Sequence, residues 1–426
     1  MPNNIRRLIM TASVLLSLFA PSNGSDNDTI AAIPSVQVSG FIKSDFIFDS
    51  RQNMAVRESM FLLYPLPELA DQEGMDVNDV RNIQFIPFQT RLSAFFSGTE
   101  LLDARATGLI EGEFFGTSDA DINGFRLRHA TINLHWESGV SILMGQFWHP
   151  LFITGCYPTT ASFNTGAPFN PFSRNPQIEI SYSTGSFRYS VAALSQLEFR
   201  SSGPEGPSAR YQRNSGFPEV ATKFQWSPPG QDLLLGVASS YKVLRPALAG
   251  ETGRKSDELA GGGAVMAFSR YSRSNITIKT AATLGQDLFH LTMIGGYAER
   301  AGNGSGEASA PGTGYTPLTA FAAWAELVAG ETWQAGLFSG YSANLGAREI
   351  ISTESHPPVI FGRGSDINFL YRISPRLSYS SSNMRLGAEA EYTRAFYSES
   401  LDSRGRPAGA AGTGNLRILF FAFYNF

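Results

Sequence analysis

The chain has 426 residues, of which 42% are hydrophobic and 16% are charged, and its formal net charge is −4. The charged fraction is well below the roughly 25% that is usual in soluble domains. The mild charge, without any basic run, argues against a nucleic-acid partner. A single cysteine excludes an intrachain disulfide framework and any multi-cysteine metal site.

The first 24 residues have the layout of a secretory signal peptide. A basic pair, Arg6 and Arg7, precedes an apolar run that is too short to span a bilayer. The small residues Ser22 and Gly24 fit a cleavage site at the end of this stretch. We therefore expect export of the chain, with residues 25–35 left as a short periplasmic lead.

From residue 36 onward the hydrophobic pattern has a period of two. The segments 36–49, 104–116, 365–373 and 384–392 each keep their charged residues off the apolar face. Many such segments are longer than the usual strands of about 5–6 residues. A Lys or Arg that faces the middle of a bilayer costs about 2–4 kcal/mol, so this separation fits a wall between lipid and water. A soluble β-sandwich would also alternate, but the export signal favours a membrane barrel.

Short and long links alternate along the chain. The short links are 97–103, 137–140, 183–186, 227–232, 269–275, 329–332 and 380–383. The long, polar links are 50–82, 116–123, 149–176, 199–217, 245–260, 286–316, 345–363 and 398–413. This asymmetry predicts an all-β, transmembrane antiparallel barrel over 36–426, with short periplasmic turns and long external loops. We expect about sixteen strands, with eighteen as the alternative count, and segment 290–300 as an extension beside the sixth long loop.

The segment LRILFFAFYNF (416–426) is predicted to close the barrel against 36–49, so that no sheet edge stays open. Its alternating apolar residues are expected to face lipid, with Tyr424 and Phe426 at the periplasmic aromatic girdle. This ending resembles the aromatic signal that the barrel-assembly machinery reads in outer-membrane barrels. We therefore assign Tyr424 and Phe426 to an assembly signal.

A sixteen-stranded barrel leaves an aqueous channel, so charges on its inner face select the solutes that pass. The second to fourth strands carry Arg91, Arg105, Glu111, Glu113, Arg126 and Arg128. A symmetric hairpin over 116–123 sets Glu113 opposite Arg126. The next inward pair in this register is Glu111 with Arg128. The pairs fit a charged screen at a constriction and also a structural ladder, and the two roles are compatible. Arg91 and Arg105 have no partner in this register, so we expect them to attract anions.

The link 149–176 has five aromatic residues, five prolines and a single formal charge, Arg174. This composition indicates packing rather than full solvation. We expect the segment to fold into the lumen as a constriction loop, with Arg174 among the pore-lining residues. The alternative is a loop packed across the outer mouth or against a neighbouring subunit. Cys156 within it is expected to be a small packed residue.

The histidines provide no recognisable metal motif. They lie at His129, His135, His149, His290 and His356, and none forms a short ligand pattern such as H-E-x-x-H. No G-x-S-x-G or comparable signature supports a hydrolase. We therefore expect no metal, no cofactor and no enzymatic activity.

Several stretches together resemble a porin family. They are LIEGEFFG (109–116), GFRLRHATINL (124–134), MGQFWHP (144–150) and ASFNTGAPFNPFSRNPQIEIS (161–181). They are similar to outer-membrane porins of the dicarboxylate-inducible (DcaP-like) type and to their relatives in anaerobic Gram-negative bacteria. The resemblance implies an outer-membrane, water-filled barrel for small and often anionic solutes, commonly a homotrimer. It also implies that Arg126 and Arg128 match the lumen arginines of the family. Some members carry an N-terminal coiled coil, whereas here only about a dozen residues separate the signal peptide from the first strand.

The leading hypothesis is a passive diffusion channel for small hydrophilic solutes, surrounded by outer-membrane lipid. The alternative is a plugged barrel that acts as a surface binding or adhesion protein. The first long link contains FLLYPLP (61–67), which is either exposed or tucked inside the barrel.

Overall fold

The computed structural model describes residues 35–250, 253–301, 314–353 and 357–426, all within the compact unit Pro34–Phe426. The predicted signal peptide, nearly all of the lead 25–35, and His356 lie outside the described residues. Strands account for 61% of the structure and helices for 3%, which confirms the all-β class.

The strands in chain order are β1 (Ser35–Asp49), β2 (Asn53–Val56), β3 (Phe61–Pro65), β4 (Asn82–Ile86), β5 (Arg91–Leu101), β6 (Ala104–Phe114), β7 (Phe125–His135), β8 (Val140–Trp148), β9 (Arg174–Thr184), β10 (Phe187–Leu194), β11 (Glu219–Trp226), β12 (Leu233–Leu244), β13 (Ala260–Arg273), β14 (Ile276–Gln286), β15 (Gly295–Glu299), β16 (Tyr315–Gly330), β17 (Trp333–Ala347), β18 (Ile360–Arg363), β19 (Ile367–Ser381), β20 (Met384–Tyr397), β21 (Ser400–Leu401), β22 (Pro407–Ala408) and β23 (Ala411–Asn425). The described loops also contain a short α-helix, α1 (Arg210–Ser215), and the 3-10 helices Asp119–Asp121 and Phe289–Leu291. Among the described helices, none is long and apolar enough to cross a membrane.

Sixteen of these strands form a closed antiparallel ring. The ring runs through β1, β5 to β14, β16, β17, β19, β20 and β23, and it returns to β1. The closing pair β1–β23 is in register from Phe41↔Asn425 to Asp49↔Arg417. The predicted sixteen-stranded barrel and its closing strand are therefore confirmed.

The remaining strands do not add spans. The strand β4 continues the wall beside β1, and β15 pairs with β16 and β18. The predicted extension at 290–300 thus contains β15 and does not cross the wall. All seven predicted short links are turns between neighbouring barrel strands, and the shortest include 102–103 and 185–186.

The alternation in sequence sets the two faces of the wall. In β1 the side chains of Lys43, Asp45 and Asp49 are buried, whereas Ile42 and Ser44 are exposed. A strand turns successive side chains to opposite faces, so the charged set points inward and the apolar set points outward. In β23 the same rule buries Arg417 and leaves Phe420 exposed on the outer surface.

Three long loops fold into the interior. The hairpin β2–β3 buries residues 60–64, and the loop 149–173, which we call the third loop, is largely buried. The segment 288–294 of the sixth loop is buried as well, apart from Phe289. One apolar cluster joins them: Phe61, Leu63, Phe152, Phe163, Phe172, Leu291 and Ile294. FLLYPLP therefore begins inside the barrel, with its first four side chains buried.

Candidate functional site

The third loop is bonded to inward-facing side chains on the far side of the ring. Lys43 Nζ donates a hydrogen bond to the carbonyl oxygen of Ala161 at 2.9 Å. The Glu389 carboxylate accepts hydrogen bonds from the backbone N–H groups of Ala161 and Ser162 at 2.9 and 3.1 Å. The loop joins β8 to β9, whereas these partners lie on β1 and β20. It therefore reaches across the lumen.

Glu113 is the centre of a buried charge cluster beside this loop. It accepts hydrogen bonds from Arg91 at 3.0 Å, Arg126 at 3.1 Å and Arg128 at 2.9 Å. Glu111 accepts a further bond from Arg128 at 2.7 Å. The carboxylate of Glu113 is fully buried, and burial of such a charge requires partners of this kind.

The cluster continues into the fourth loop. Glu198 bonds Arg126 and accepts from Arg174 Nη2 at 3.1 Å, and it lies 3.8 Å from Arg57 Nη2. Burial alone would raise the pKa of Glu198, but Arg174 and Arg126 hold it below the ordinary value of 4.5, so its carboxylate is ionised at neutral pH. Six of the seven predicted pore-lining residues thus lie in one network. The network has an excess of two positive charges, because it contains five arginines and three glutamates. They are Arg57, Arg91, Arg126, Arg128 and Arg174 with Glu111, Glu113 and Glu198.

Two expectations about these residues need correction. Glu113 is paired with Arg126, as the symmetric hairpin predicts, but a bulge next to Glu111 sets that residue opposite His129. Arg128 still reaches Glu111 because its side chain is long. The register predicts no partner for Arg91, yet Arg91 bonds Glu113.

Arg105 is not part of this network. It lies opposite Glu100 on β5 and His135 on β7, near the turn 102–103, and it is exposed. Among the described residues it has no ion pair. The spacing along β6 alone could not reveal that Arg105 lies at the turn end of the wall, away from the cluster.

Arg174 is a buried guanidinium surrounded by aromatic rings. Its Cζ lies 5.2 Å from the Trp148 ring, 5.8 Å from Phe172 and 5.2 Å from Phe199. These distances are within the range of cation–π attraction. Within the described chain, its Nε and Nη1 atoms have no hydrogen-bond partner. Arg174 therefore keeps unused hydrogen-bonding capacity inside the barrel.

Two cavities flank the charge cluster. The first, of about 330 Å³, is lined mainly by the long loops, and we call it the loop-side cavity. The second, of about 460 Å³, extends to Phe41 and Phe423 near the short turns, and we call it the turn-side cavity. Phe163 and Phe172 line both cavities. Their ring centroids are 6.0 Å apart, and we call this pair the phenyl partition.

Both cavities carry more basic than acidic side chains. The loop-side cavity is lined by Arg57, Arg126, Arg200 and Arg363 against Asp119 and Glu198. The turn-side cavity is lined by Lys43, Arg91, Arg128 and Arg385 against Glu111. Five of these basic residues were not predicted from the sequence: Lys43, Arg57, Arg200, Arg363 and Arg385. Alternation places Lys43 and Arg385 on the inner face, but nothing in the sequence shows that the loop residue Arg200 turns inward.

A separate buried cluster joins His149, Glu219 and His290, whose ligand-type atoms lie within 4.8 Å of one another. Their wide spacing in sequence gives no short motif. The backbone N–H of Leu151 donates to Nδ1 of His149 at 3.1 Å, and the Lys242 ammonium donates to Nδ1 of His290. Because both Nδ1 atoms accept, we assign the ring protons to Nε2, where they face Glu219. Metal-bound histidines donate from the second ring nitrogen, so this arrangement suits hydrogen bonding and not a metal ion.

Comparison with solved structures identifies the architecture. The outer-membrane channel DcaP of Acinetobacter baumannii aligns with a TM-score of 0.65 and 14% identity, over 95% of this chain and 100% of that one. OmpT of Vibrio cholerae aligns at 0.52 with 10% identity, over 95% and 99%. An anion-selective porin from Comamonas acidovorans aligns at 0.53 with 11% identity, over 92% and 100%.

The chain has the fold of an outer-membrane porin. The likeness to DcaP-like porins that the sequence motifs predicted is thus confirmed at the level of the fold. No family model matches the sequence, and a search of curated proteins also gives no match.

Proposed function

We propose that this porin-fold chain is an integral outer-membrane channel through which small hydrophilic solutes, with a preference for anions, diffuse passively. The observation that carries the proposal is the pair of lumen cavities, each with a basic excess, on the two sides of the phenyl partition. The barrel fold and its likeness to outer-membrane porins support the location and the channel function.

The third loop narrows the passage in this proposal. It supplies both rings of the partition, and its anchors on β1 and β20 fix it across the lumen. Solutes would pass between the cavities at the partition, beside the guanidinium groups of Arg126 and Arg174. Arg91, Glu111, Glu113 and Arg128 would form the adjoining charged wall on the turn side.

Anion preference follows from the local charges. In the loop-side cavity four arginines face two acidic residues, and in the turn-side cavity four basic residues face one. A cleft with an excess of one sign of charge concentrates ions of the opposite sign. The likeness to the anion-selective Comamonas porin is consistent with this preference. The proposal assigns Arg105 no selective role, since it lines neither cavity.

A plugged barrel with a binding or adhesion role is the second candidate. The observation in its favour is the apolar cluster that fills the space between the hairpin β2–β3, the third loop and the sixth loop. The channel is preferred because both cavities are lined by charged groups, which an apolar plug would not need.

The proposal extends to assembly. Residues 1–24 direct export, and Tyr424 and Phe426 serve the barrel-assembly machinery. Both side chains are nearly half exposed at the end of β23, Tyr424 within the strand and Phe426 directly after it, where outer-membrane lipid would meet them. A homotrimer is the proposed oligomer, on the basis of the resemblance to the DcaP-like type.

Single-channel recording tests the function directly. The purified full-length protein, inserted into a planar lipid bilayer, should give stepwise and ohmic current. In a salt gradient the reversal potential should be shifted toward the Nernst potential of the anion. A bilayer that stays silent at high protein load would contradict the channel and favour the plugged barrel.

A further inference from the structure

The two residues that follow His290 hold the backbone of Phe172. The N–H of Phe172 donates to the carbonyl oxygen of Leu291 at 2.8 Å. The hydroxyl of Thr292 donates to the carbonyl oxygen of Phe172 at 2.7 Å. Both backbone groups of this ring of the phenyl partition are therefore fixed by the sixth loop. A shift of the 3-10 helix Phe289–Leu291 would move Phe172.

His290 connects that helix to Glu219. Nε2 of His290 lies 3.3 Å from Oε1 of Glu219, and Nε2 of His149 lies 3.0 Å from the same oxygen. His149 is the first residue of the third loop, Glu219 begins β11, and His290 lies in the sixth loop. One buried carboxylate thus connects the wall to both loops that meet at Phe172.

We propose that Glu219, through His149 and His290, positions Phe172, and that protonation of His290, which breaks its bond to Lys242, releases the phenyl partition. The inference rests on the proposed channel function, because only a conducting barrel has a passage to control. The three residues are positioning residues and line no more than the edge of the passage: His290 borders the loop-side cavity, but neither His149 nor Glu219 lines either cavity.

The charged and titratable neighbours define how a proton would act. They come from β11, β12, β18, the third loop and the sixth loop, and they are Glu219, Lys242, Arg363, His149 and Asp287. Lys242 Nζ is 3.0 Å from Asp287 Oδ2, and Arg363 donates to the carbonyl oxygen of Phe289 at 3.3 Å. A proton added to His290 must go to Nδ1, which already faces a donor, the ammonium group of Lys242. Two donors would then face each other, and the hydrogen bond between them would be lost.

The direction of the pH effect follows from the same contacts. Burial, and then Lys242, lower the pKa of His290 from its ordinary value of 6.5. The folded protein therefore favours the neutral ring. The positioning of Phe172 is complete above pH 6.5 and is lost as the pH falls through the lowered pKa.

The test is single-channel recording of the full-length protein from about pH 7.5 to about pH 4.5, across the range in which histidine titrates. The wild type should spend more time in a larger and noisier conductance state as the pH falls. A single proton limits this rise to about tenfold per pH unit. H290Q should lose the acid response, because glutamine can donate to Glu219 and accept from Lys242 but does not titrate.

Two further variants complete the experiment. E219Q should occupy the larger state already at the upper pH, because its amide group sets a donor against one of the histidines. H135Q is the matched control: His135 bonds Ser141 at 3.0 Å, lines neither cavity, and its replacement should leave the acid response intact.

The possible failures are distinguishable. No current at any pH would reject the channel function itself. A conducting wild type without acid response, or an H290Q variant that keeps it, would reject only the positioning role. One equivalent of zinc bound by the purified wild type and absent from H290Q would also overturn this role, because the cluster would then be a metal site.

Discussion

At the level of single residues, the basic side chains of the lumen fall into two groups. Arg126, Arg128 and Arg174 bond carboxylates, so much of their field is cancelled by Glu113 and Glu198. Arg200, Arg363 and Arg385 also line the cavities, but none has an ion pair within the described part of the chain. An uncompensated charge acts on a passing ion over a longer distance than a paired one. We therefore expect the second group to set ion preference and the first to set the shape of the wall.

Replacing Arg385 with Gln should weaken the anion preference. A unit charge about 7 Å from an ion in water changes the free energy of that ion by about 0.6 kcal/mol, so after screening the anion-to-cation permeability ratio should fall about two- to threefold. The measurement is the reversal potential in a salt gradient.

Arg105→Gln is the matched control for this substitution. It removes the same charge from the inner parity of a barrel strand, but outside both cavities, and should leave the reversal potential unchanged. An equal shift in the two variants would show that total charge, and not the cavity lining, sets selectivity.

The sequence identified part of this site for a physical reason. On a strand, parity tells which side chains point inward, and this rule predicts the inward position of Arg91, Glu111, Glu113, Arg126 and Arg128. Parity does not tell how deep a residue lies, so Arg105 was placed with the others. A bulge also shifts the parity of a strand relative to its neighbour, as between Glu111 and Gly112. Loop residues such as Glu198 have no parity, and only the folded loops bring them to the cluster.

At the level of elements, local sequence determines the position of the barrel strands much more closely than that of the loops inside the barrel. Every barrel strand must separate an apolar face from a polar one, so the period of two and the spacing of the turns predict the sixteen strands. No comparable rule governs the loops. The contact between Phe172 and the segment 288–294, or between the third loop and β20, depends on residues more than 100 positions apart. Composition indicates that the third loop packs, but not where it packs.

The phenyl partition provides a test at this scale. Phe172 belongs to the third loop, is held by the sixth loop, and faces both cavities. Hydrophobic constrictions restrict passage partly by excluding water, so Phe172→Ala should raise the single-channel conductance about twofold or more. The folded state is checked by the altered mobility of the unheated barrel on a denaturing gel.

The control for the partition is Phe187→Ala, which removes an exposed ring from the outer surface of β10. Its conductance should equal that of the wild type. If Phe172→Ala conducted no better than Phe187→Ala, the partition would not be the narrowest part of the passage.

For the whole molecule, the decisive contact is the one that closes the ring. Gly40 exchanges backbone hydrogen bonds with Phe426 at 3.0 and 3.1 Å, and a Cβ at Gly40 would lie 2.3 Å from the carbonyl oxygen of Arg91. The smallest residue thus allows β1 to sit between β5 and β23. At the other end of this seam, Arg417 bonds both carboxylate oxygens of Asp49, at 2.9 and 2.7 Å, with both side chains fully buried.

Arg417 also anchors the segment between β2 and β3 to the seam. Its Nη2 donates to the carbonyl oxygen of Ser59 at 2.7 Å, next to the hairpin β2–β3. Replacement by Met therefore removes a seam contact and a loop anchor, and leaves Asp49 as a buried charge with one neutral partner, Asn415. Breaking a buried pair in this way costs about 3–5 kcal/mol. The urea midpoint of the barrel reconstituted in lipid should fall accordingly.

The double variant Arg417→Met with Asp49→Leu separates the charge effect from the lost volume and anchor. It should recover part of the lost stability, because no unpaired carboxylate remains in the wall. Lys255→Met is the reference, since its pair with Asp257 is exposed and exposed pairs contribute little to stability. If Arg417→Met unfolded at the same urea concentration as Lys255→Met, the seam would be held by its backbone ladder alone, and the buried pair would have no part in closing the barrel.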